Sequence, residues 1–243
     1  LQLMDKVCPG IFPKLLHFSN THSFLIMENI FKNGGSTLKQ YFDNNIIDSK
    51  VFANLGQTIG YVQKSIGNVI LNEHPIFPES RYIENLKYRI GMINNKNAER
   101  LIDDLMSEKM QVILGDLAPK NIGILPNGGI KLFDLDLIAI GNRCFDIGYL
   151  TGHLILETYR YGTDALKGVL GSFFRGYKSY INDGVIEDTK TLKVAIASII
   201  YRLDNSLIPY PINLNFDQRN HLISKAYNLF NSDKVNWYNL INP

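Results

Sequence analysis

The stretch from Met110 to Asp136 constrains this chain more than any other part of it. Met110-Gln111-Val112-Ile113-Leu114 is a short apolar run that reads as a strand and breaks at Gly115-Asp116. Asn121-Ile122-Gly123-Ile124-Leu125 reads as a second strand, Pro126-Asn127-Gly128-Gly129 as a tight turn, and Ile130-Lys131-Leu132-Phe133-Asp134-Leu135-Asp136 as a third strand. The Asn-Gly-Gly turn returns the chain antiparallel. Asn121 and Asp134 therefore fall at neighbouring strand ends, with Asp116 on the loop above them. Two hard oxygen ligands and a spare carboxylate at one edge suit Mg²⁺, which takes few protein ligands and leaves room for phosphates. The spare carboxylate can orient or deprotonate a hydroxyl. By residue type alone, the same three positions also read as ordinary polar turn residues. Asn in particular carries little weight in a chain that has 25 of them.

The flanking sequence sets the fold class. Residues 11–18 and 23–31 are apolar runs separated by the polar Ser19-Asn20-Thr21-His22, the pattern of a β-hairpin. Asn33-Gly34-Gly35 then breaks the chain, and Ser36 or Thr37 is placed to cap a helix running to about Asn44. Apolar residues at 51, 52, 55, 59, 62, 66, 69 and 70 form one stripe at helical period. Residues 80–108 read as helical with mixed charges. Beyond Cys144 the chain reads as helices over 144–161, 163–182, 187–205 and 216–231, with breaks at Gly162, Asp183-Gly184 and Pro209-Tyr210-Pro211. The class is α+β with helix dominant. Leu1 to Gly10 reads as the tail of a helix, so the chain is expected to be incomplete at its N-terminus.

Composition narrows the function classes. In 243 residues, 45% apolar and 20% charged residues fit a folded core and argue against disorder. A net charge of +2 supplies no basic field for nucleic acid. No apolar run reaches the roughly 18 residues that span a bilayer. Neither nucleic acid nor membrane is therefore expected as a partner. Cys8 and Cys144 match neither a disulfide framework nor a metal spacing, so a reducing, cytoplasmic setting is expected. The five histidines show no ligand spacing, and His153, on an apolar helix, reads as a core residue. Lys120 reads as solvent-facing, the alternative being contact with phosphate or substrate.

Gly115-Asp116-Leu117-Ala118-Pro119-Lys120-Asn121, then Phe133-Asp134-Leu135-Asp136, then Phe145-Asp146-Ile147-Gly148, resembles the core of the aminoglycoside phosphotransferase and choline kinase superfamily, enzymes with a protein-kinase-like fold. Upstream, Phe24 to Ile30 followed by Gly34 to Leu38 is similar to the hinge and the helix after it. The motifs occur in order across essentially the whole chain. The resemblance implies that Asp116 is the catalytic aspartate that accepts or orients the acceptor hydroxyl proton. It implies that Asn121 and Asp134 hold Mg²⁺ against the nucleotide phosphates, with Asp136 as an auxiliary metal candidate. Glu28 and Ile30 match hinge positions whose backbone meets the adenine edge, Phe133 packs near the base, and Asp146 braces the catalytic loop through backbone N–H groups. The sequence departs from the family in two places. Leu114 stands where a His is usual, and neither a glycine-rich phosphate loop nor its following strand lysine is present; Lys6 lies too close to the hairpin to serve.

The resulting expectation is a small-lobe remnant over 1–33 and a helical lobe over 34–243 that carries the catalytic loop and metal hairpin. The implied activity is transfer of the γ-phosphoryl of ATP (or GTP) to a hydroxyl of a small polar metabolite or aminoglycoside-like acceptor. The alternative is a non-catalytic nucleotide-binding pseudokinase or interaction module; a protein kinase fits the motif variants less well. The acceptor stays open, with aminoglycosides, choline, methylthioribose and sugars all within the superfamily's range. Structurally, 11–31 should form an antiparallel hairpin leading into an extended hinge at Glu28–Ile30, and the side chains of Asn121 and Asp134 should share one side of the 122–134 hairpin.

Overall fold

The computed structural model describes residues 1–67, 77–107, 110–204 and 212–242. Helix α1 (Gln2–Val7) buries Met4, and the chain then turns at Gly10 into strands β1 (Leu15–Ser19) and β2 (Phe24–Met27). These pair antiparallel, as two apolar runs around a polar turn predict, with a bulge between Leu15 and His17. The hairpin buries little of its apolar surface: Leu16, Phe18, Phe24, Leu25, Ile26 and Met27 are each at least 41% exposed. Glu28 and Asn29 continue without regular structure, but Ile30 already lies in a turn closed by Lys32 N–H on the Asn29 carbonyl, so the extended hinge expected over Glu28–Ile30 stops short of Ile30.

The break at Gly34-Gly35 has a steric reason. Gly35 has φ +107°, and a Cβ there would lie 2.5 Å from the Ile124 carbonyl oxygen. Only glycine lets strand β3 (Ser36–Thr37) come alongside the strand over Ile122–Ile124. Thr37, rather than Ser36, caps helix α2 (Leu38–Asp43): its hydroxyl accepts from the Gln40 N–H, and the Gln40 side chain accepts from the Thr37 N–H.

Helix α3 (Ser49–Gly67) turns the expected stripe inward, burying Val51, Phe52, Leu55, Ile59, Val62 and Ile66; positions 69 and 70 of that stripe lie outside the described residues. The stretch that reads as helical over 80–108 holds two helices, α4 (Glu79–Arg89) and α5 (Lys96–Ser107). A 3-10 turn at Gly91–Ile93 and Asn94 at φ 50° separate them, and the Asn95 side chain accepts from the N–H groups of Asn97 and Ala98. Asparagine tolerates the left-handed conformation and caps helices through its own side chain, and both properties are used here.

Strand β4 (Gln111–Ile113) pairs with β7 (Ala139–Gly141), a strand that the apolar alternation does not single out. Strands β5 (Ile122–Ile124) and β6 (Ile130–Leu132) form the expected hairpin, Ile122 opposite Leu132, with β3 added on the other edge of β5. The third strand was expected to continue to Asp136 but ends at Leu132, because Asp134 takes φ 61°, which no strand accommodates.

The remaining helices are α6 (Arg143–Thr158), α7 (Thr163–Lys178), α8 (Thr189–Asp204), α9 (Phe216–Phe230) and α10 (Trp237–Ile241). The expected break at Pro209-Tyr210-Pro211 lies outside the described residues. Helix α6 is buried along its length and lies against α8 so closely that a Cβ on Gly148 would sit 2.4 Å from the Thr191 carbonyl oxygen. Cys8 and Cys144 are free and buried, and burial pushes both thiols up to about 11. Among the described residues, no helix is long and apolar enough to cross a membrane.

Glu157 of α6 is buried, with Lys39 of α2 at 3.7 Å. Burial pushes its carboxyl up to about 7 from an ordinary 4.5, against the pull of Lys39. Between those two values the folded chain binds more protons than the unfolded chain, so stability falls as pH rises through that window. Glu157→Gln should flatten that fall, read as a smaller difference between urea midpoints measured below and above the window than in the parent.

Candidate active site

Asp146 sits in the first turn of α6 with no exposed surface. Its two oxygens accept from consecutive backbone amides, Leu114 N–H at 2.8 Å and Gly115 N–H at 2.9 Å. Burial raises this carboxyl to about 6, and the two N–H donors oppose that rise. Leu114 itself turns its side chain into the core and meets Asp146 through its backbone. Gly115 has φ +78°, and a Cβ on it would lie 2.1 Å from the Leu137 carbonyl oxygen, so no other residue fits. Its own carbonyl accepts from Asn85 Nδ2 at 2.8 Å and Arg89 Nη1 at 3.3 Å, both from α4. The loop start is thus held from two helices.

Asp116 follows directly. Its Oδ1 pairs with Arg89 Nη2 at 2.7 Å, and its Oδ2 accepts from Asn121 Nδ2 at 2.9 Å and lies 3.4 Å from Lys120 Nζ. Burial alone would raise this carboxyl. Arg89 first, then Lys120, hold it below the usual carboxylate value. Arg89 is itself fixed, with its guanidinium 4.0 Å over the Tyr149 ring.

A 3-10 turn at Pro119–Asn121 closes the loop and buries Asn121. The Asn121 amide donates to the Asp116 backbone carbonyl at 3.0 Å as well as to its carboxylate, which leaves Oδ1 as its acceptor. The Phe133 N–H donates to the Asn121 carbonyl at 3.1 Å, so Asn121 and Asp134 stand at adjacent strand ends. Asp134 is exposed, and its Oδ2 lies 3.5 Å from the same Lys120 ammonium that meets Asp116. Asp116, Asn121, Asp134 and Lys120 therefore share one edge of the β5–β6 hairpin.

The other expected residues lie around this edge. Asp136 is exposed two residues beyond Asp134, and its backbone carbonyl accepts from Arg81 at 2.9 Å. Glu28 uses its carboxylate within the hairpin region, accepting from Lys14 N–H at 3.3 Å and pairing with Lys131 at 3.8 Å. Ile30 packs on β5, its Cδ1 being 3.0 Å from where a Cβ on Gly123 would lie. Phe31 meets Phe133 edge to face at 6.2 Å. A cavity of about 470 Å³ opens between the β1–β2 hairpin, α1 and the β6 end, lined by Met4, Leu25, Met27, Phe133, Asp134 and Asp136 among others. It is apolar on most sides and carries its carboxylates at one end.

The sequence misses two contributors and places a third differently. Arg89 and Asn85 carry no signal on a helix of mixed charges, and only the α4 register shows that both reach Gly115. Lys120, read as solvent-facing, is half-exposed yet placed between two carboxylates. His153 is buried against Tyr149, as its apolar helix implies.

The edge fits a hard divalent cation by its donors, two carboxylates and an amide oxygen, and by the cation it already holds in the Lys120 ammonium. Among the described residues, no group of three or more His, Cys, Asp and Glu side chains is arranged around a metal position. A site here would thus rely on ligand oxygens from outside the protein.

No protein-family model and no curated protein matches the sequence. Solved structures are similar to it, among them two small-molecule kinases. One is an amicoumacin kinase in complex with AMP-PNP and Ca²⁺, with TM-score 0.52 and 15% identity, covering 76% of this chain and 59% of that one. The other is a choline/ethanolamine kinase family protein from Mesorhizobium loti, with TM-score 0.54 and 12% identity, covering 95% of this chain and 77% of that one. The chain spans less than two thirds of the length of the amicoumacin kinase. It has the protein-kinase-like fold of these small-molecule kinases.

Asp146→Asn should be destabilising, because an amide can accept only one of the two N–H groups and turns its own donors toward the other. The expected loss is about 1–3 kcal/mol of unfolding free energy in urea, the usual cost of a buried donor left unmet.

Proposed function

We propose that this chain carries the catalytic lobe of a small-molecule kinase, which transfers the γ-phosphoryl of ATP (or GTP) to a hydroxyl of a small polar or aminoglycoside-like acceptor. The observation that carries this reading is the gathering of Asp116 and Asp134 around one ammonium, with Asn121 bonded to Asp116, on a loop pinned by Asp146, within this fold. On this reading residues 1–33 belong to the small lobe and 34–243 to the helical lobe. Nothing in it calls for nucleic acid or membrane, and buried free cysteines accord with a reducing, cytoplasmic setting.

Asn121 and Asp134 would hold Mg²⁺, with Asp136 as an auxiliary ligand; the ion, when bound, neutralises charge on the nucleotide phosphates. Asp116 orients the acceptor hydroxyl. With Arg89 holding its carboxyl low, it acts by accepting a hydrogen bond and receiving the proton late. A loose phosphoryl-transfer transition state demands little more of a base. The backbone at Glu28 and Ile30 meets the adenine edge, and Phe133 packs near the base on the floor of the apolar cavity. That a protein of similar fold, the amicoumacin kinase, is in complex with AMP-PNP and Ca²⁺ supports the use of a nucleotide and a divalent ion.

A second reading, a nucleotide-binding pseudokinase, is favoured by one observation: the Arg89–Asp116 ion pair occupies an oxygen of the proposed catalytic carboxylate. Paired variants separate the two. Asp116→Asn should leave metal–nucleotide affinity nearly unchanged by calorimetry while lowering turnover by about 10²–10⁴, the range for losing a positioned general base. Asp134→Ala should weaken metal-dependent nucleotide binding itself. Metal–nucleotide binding without phosphoryl transfer to any of a broad panel of hydroxyl acceptors would favour the pseudokinase.

A further inference from the structure

Lys120 belongs to none of the roles assigned above, yet it occupies the centre of the site. Its ammonium lies 3.4 Å from Asp116 Oδ2 and 3.5 Å from Asp134 Oδ2. Asp116 is already matched by Arg89 at 2.7 Å and by the Asn121 amide, so it does not depend on a second cation. Asp134 is different: Lys120 is the ion-pair partner the structure shows for it among the described residues. Arg89 and Lys120 thus match Asp116 and Asp134 in formal charge.

The tether matters as much as the charge. Pro119 and Asn121 on either side are buried in a 3-10 turn, which fixes the Lys120 backbone. Its side chain is 41% exposed, as is that of Asp134, so the ammonium sits at the open face on a four-carbon stem. It can leave Asp134 without disturbing the fold.

We propose that Lys120 is a built-in counter-ion that stands in for the divalent cation at Asp134 and is displaced only when a metal arrives together with phosphate oxygens. A divalent ion placed at Asp134 with Lys120 still there would face a like charge a few ångströms away. Phosphate oxygens give the ammonium somewhere to go, so metal and nucleotide should bind cooperatively while bare metal binds poorly. The inference rests on the metal role of Asp134 in the kinase reading and deepens it. It assigns to one residue of this chain the coupling between metal and nucleotide.

The test is a Mn²⁺ titration of the full chain without nucleotide, followed by electron paramagnetic resonance. Lys120→Met should bind Mn²⁺ about tenfold more tightly than the parent, within the usual range of coupling between two bound groups. Lys120→Arg, which keeps the charge, should match the parent. The Lys120→Met/Asp134→Ala double variant should lose the gain. Equal or weaker binding by Lys120→Met, or a gain that survives in the double variant, would overturn the proposal. Failure of the kinase reading looks different: Asp134→Ala in the parent background would then leave the affinity for Mn²⁺ with nucleotide unchanged.

Discussion

Everything proposed for this protein hangs on one buried carboxylate accepting two consecutive backbone N–H groups. Asp146 costs free energy to bury, and the donors of Leu114 and Gly115 offset that cost only while the loop keeps its shape. That shape puts Gly115 at positive φ and lets Asn85 and Arg89 reach its carbonyl, so that Asp116 emerges in one direction. Asp146 in turn stands on α6, whose Gly148 lets it press on α8 at backbone contact. Close helix packing therefore backs the loop that carries the chemistry.

The site so formed is balanced rather than vacant. Arg89 pairs with Asp116 from beneath and Lys120 bridges to Asp134 from the open side. Asp134 is held at φ 61°, a conformation uncommon for a residue with a Cβ, at the point where β6 gives way to the loop. Local strain at a carboxylate facing solvent is a recurrent mark of residues kept for binding. The neighbouring apolar cavity, bounded by the exposed inner side of the β1–β2 hairpin, supplies a dry wall beside that charge.

Much of this was legible in the residues, and what was not has a common cause. The two hairpins, the capped helix after Gly35 and the spacing of Asp116, Asn121 and Asp134 are local features, set by turn residues and alternation within a few positions. Strand β7, by contrast, exists because Ala139–Gly141 meets Gln111–Ile113 across a long separation. Arg89 matters because α4 ends beside Gly115, with 26 positions between them in sequence. The helical reading of 80–108 does not show the break at Gly91 and Asn94, whose breaking power the mixed charges on either side conceal. Glu28 matches a hinge position by motif, a role for its backbone; the sequence does not show that its carboxylate meets Lys14 and Lys131 and its N–H the Lys14 carbonyl.

The most direct test of the account is whether a metal–nucleotide complex binds at the junction of the pinned loop and the β5–β6 hairpin. Nuclear magnetic resonance of the labelled chain with Mn²⁺ and a non-hydrolysable ATP analogue reads this by paramagnetic broadening. The account predicts that the Asn121 side-chain amide and the Asp134 backbone amide broaden first, with Gly115 and Asp116 close behind, and that α9 and α10 stay sharp. Broadening centred elsewhere, or none with the analogue present, would contradict it.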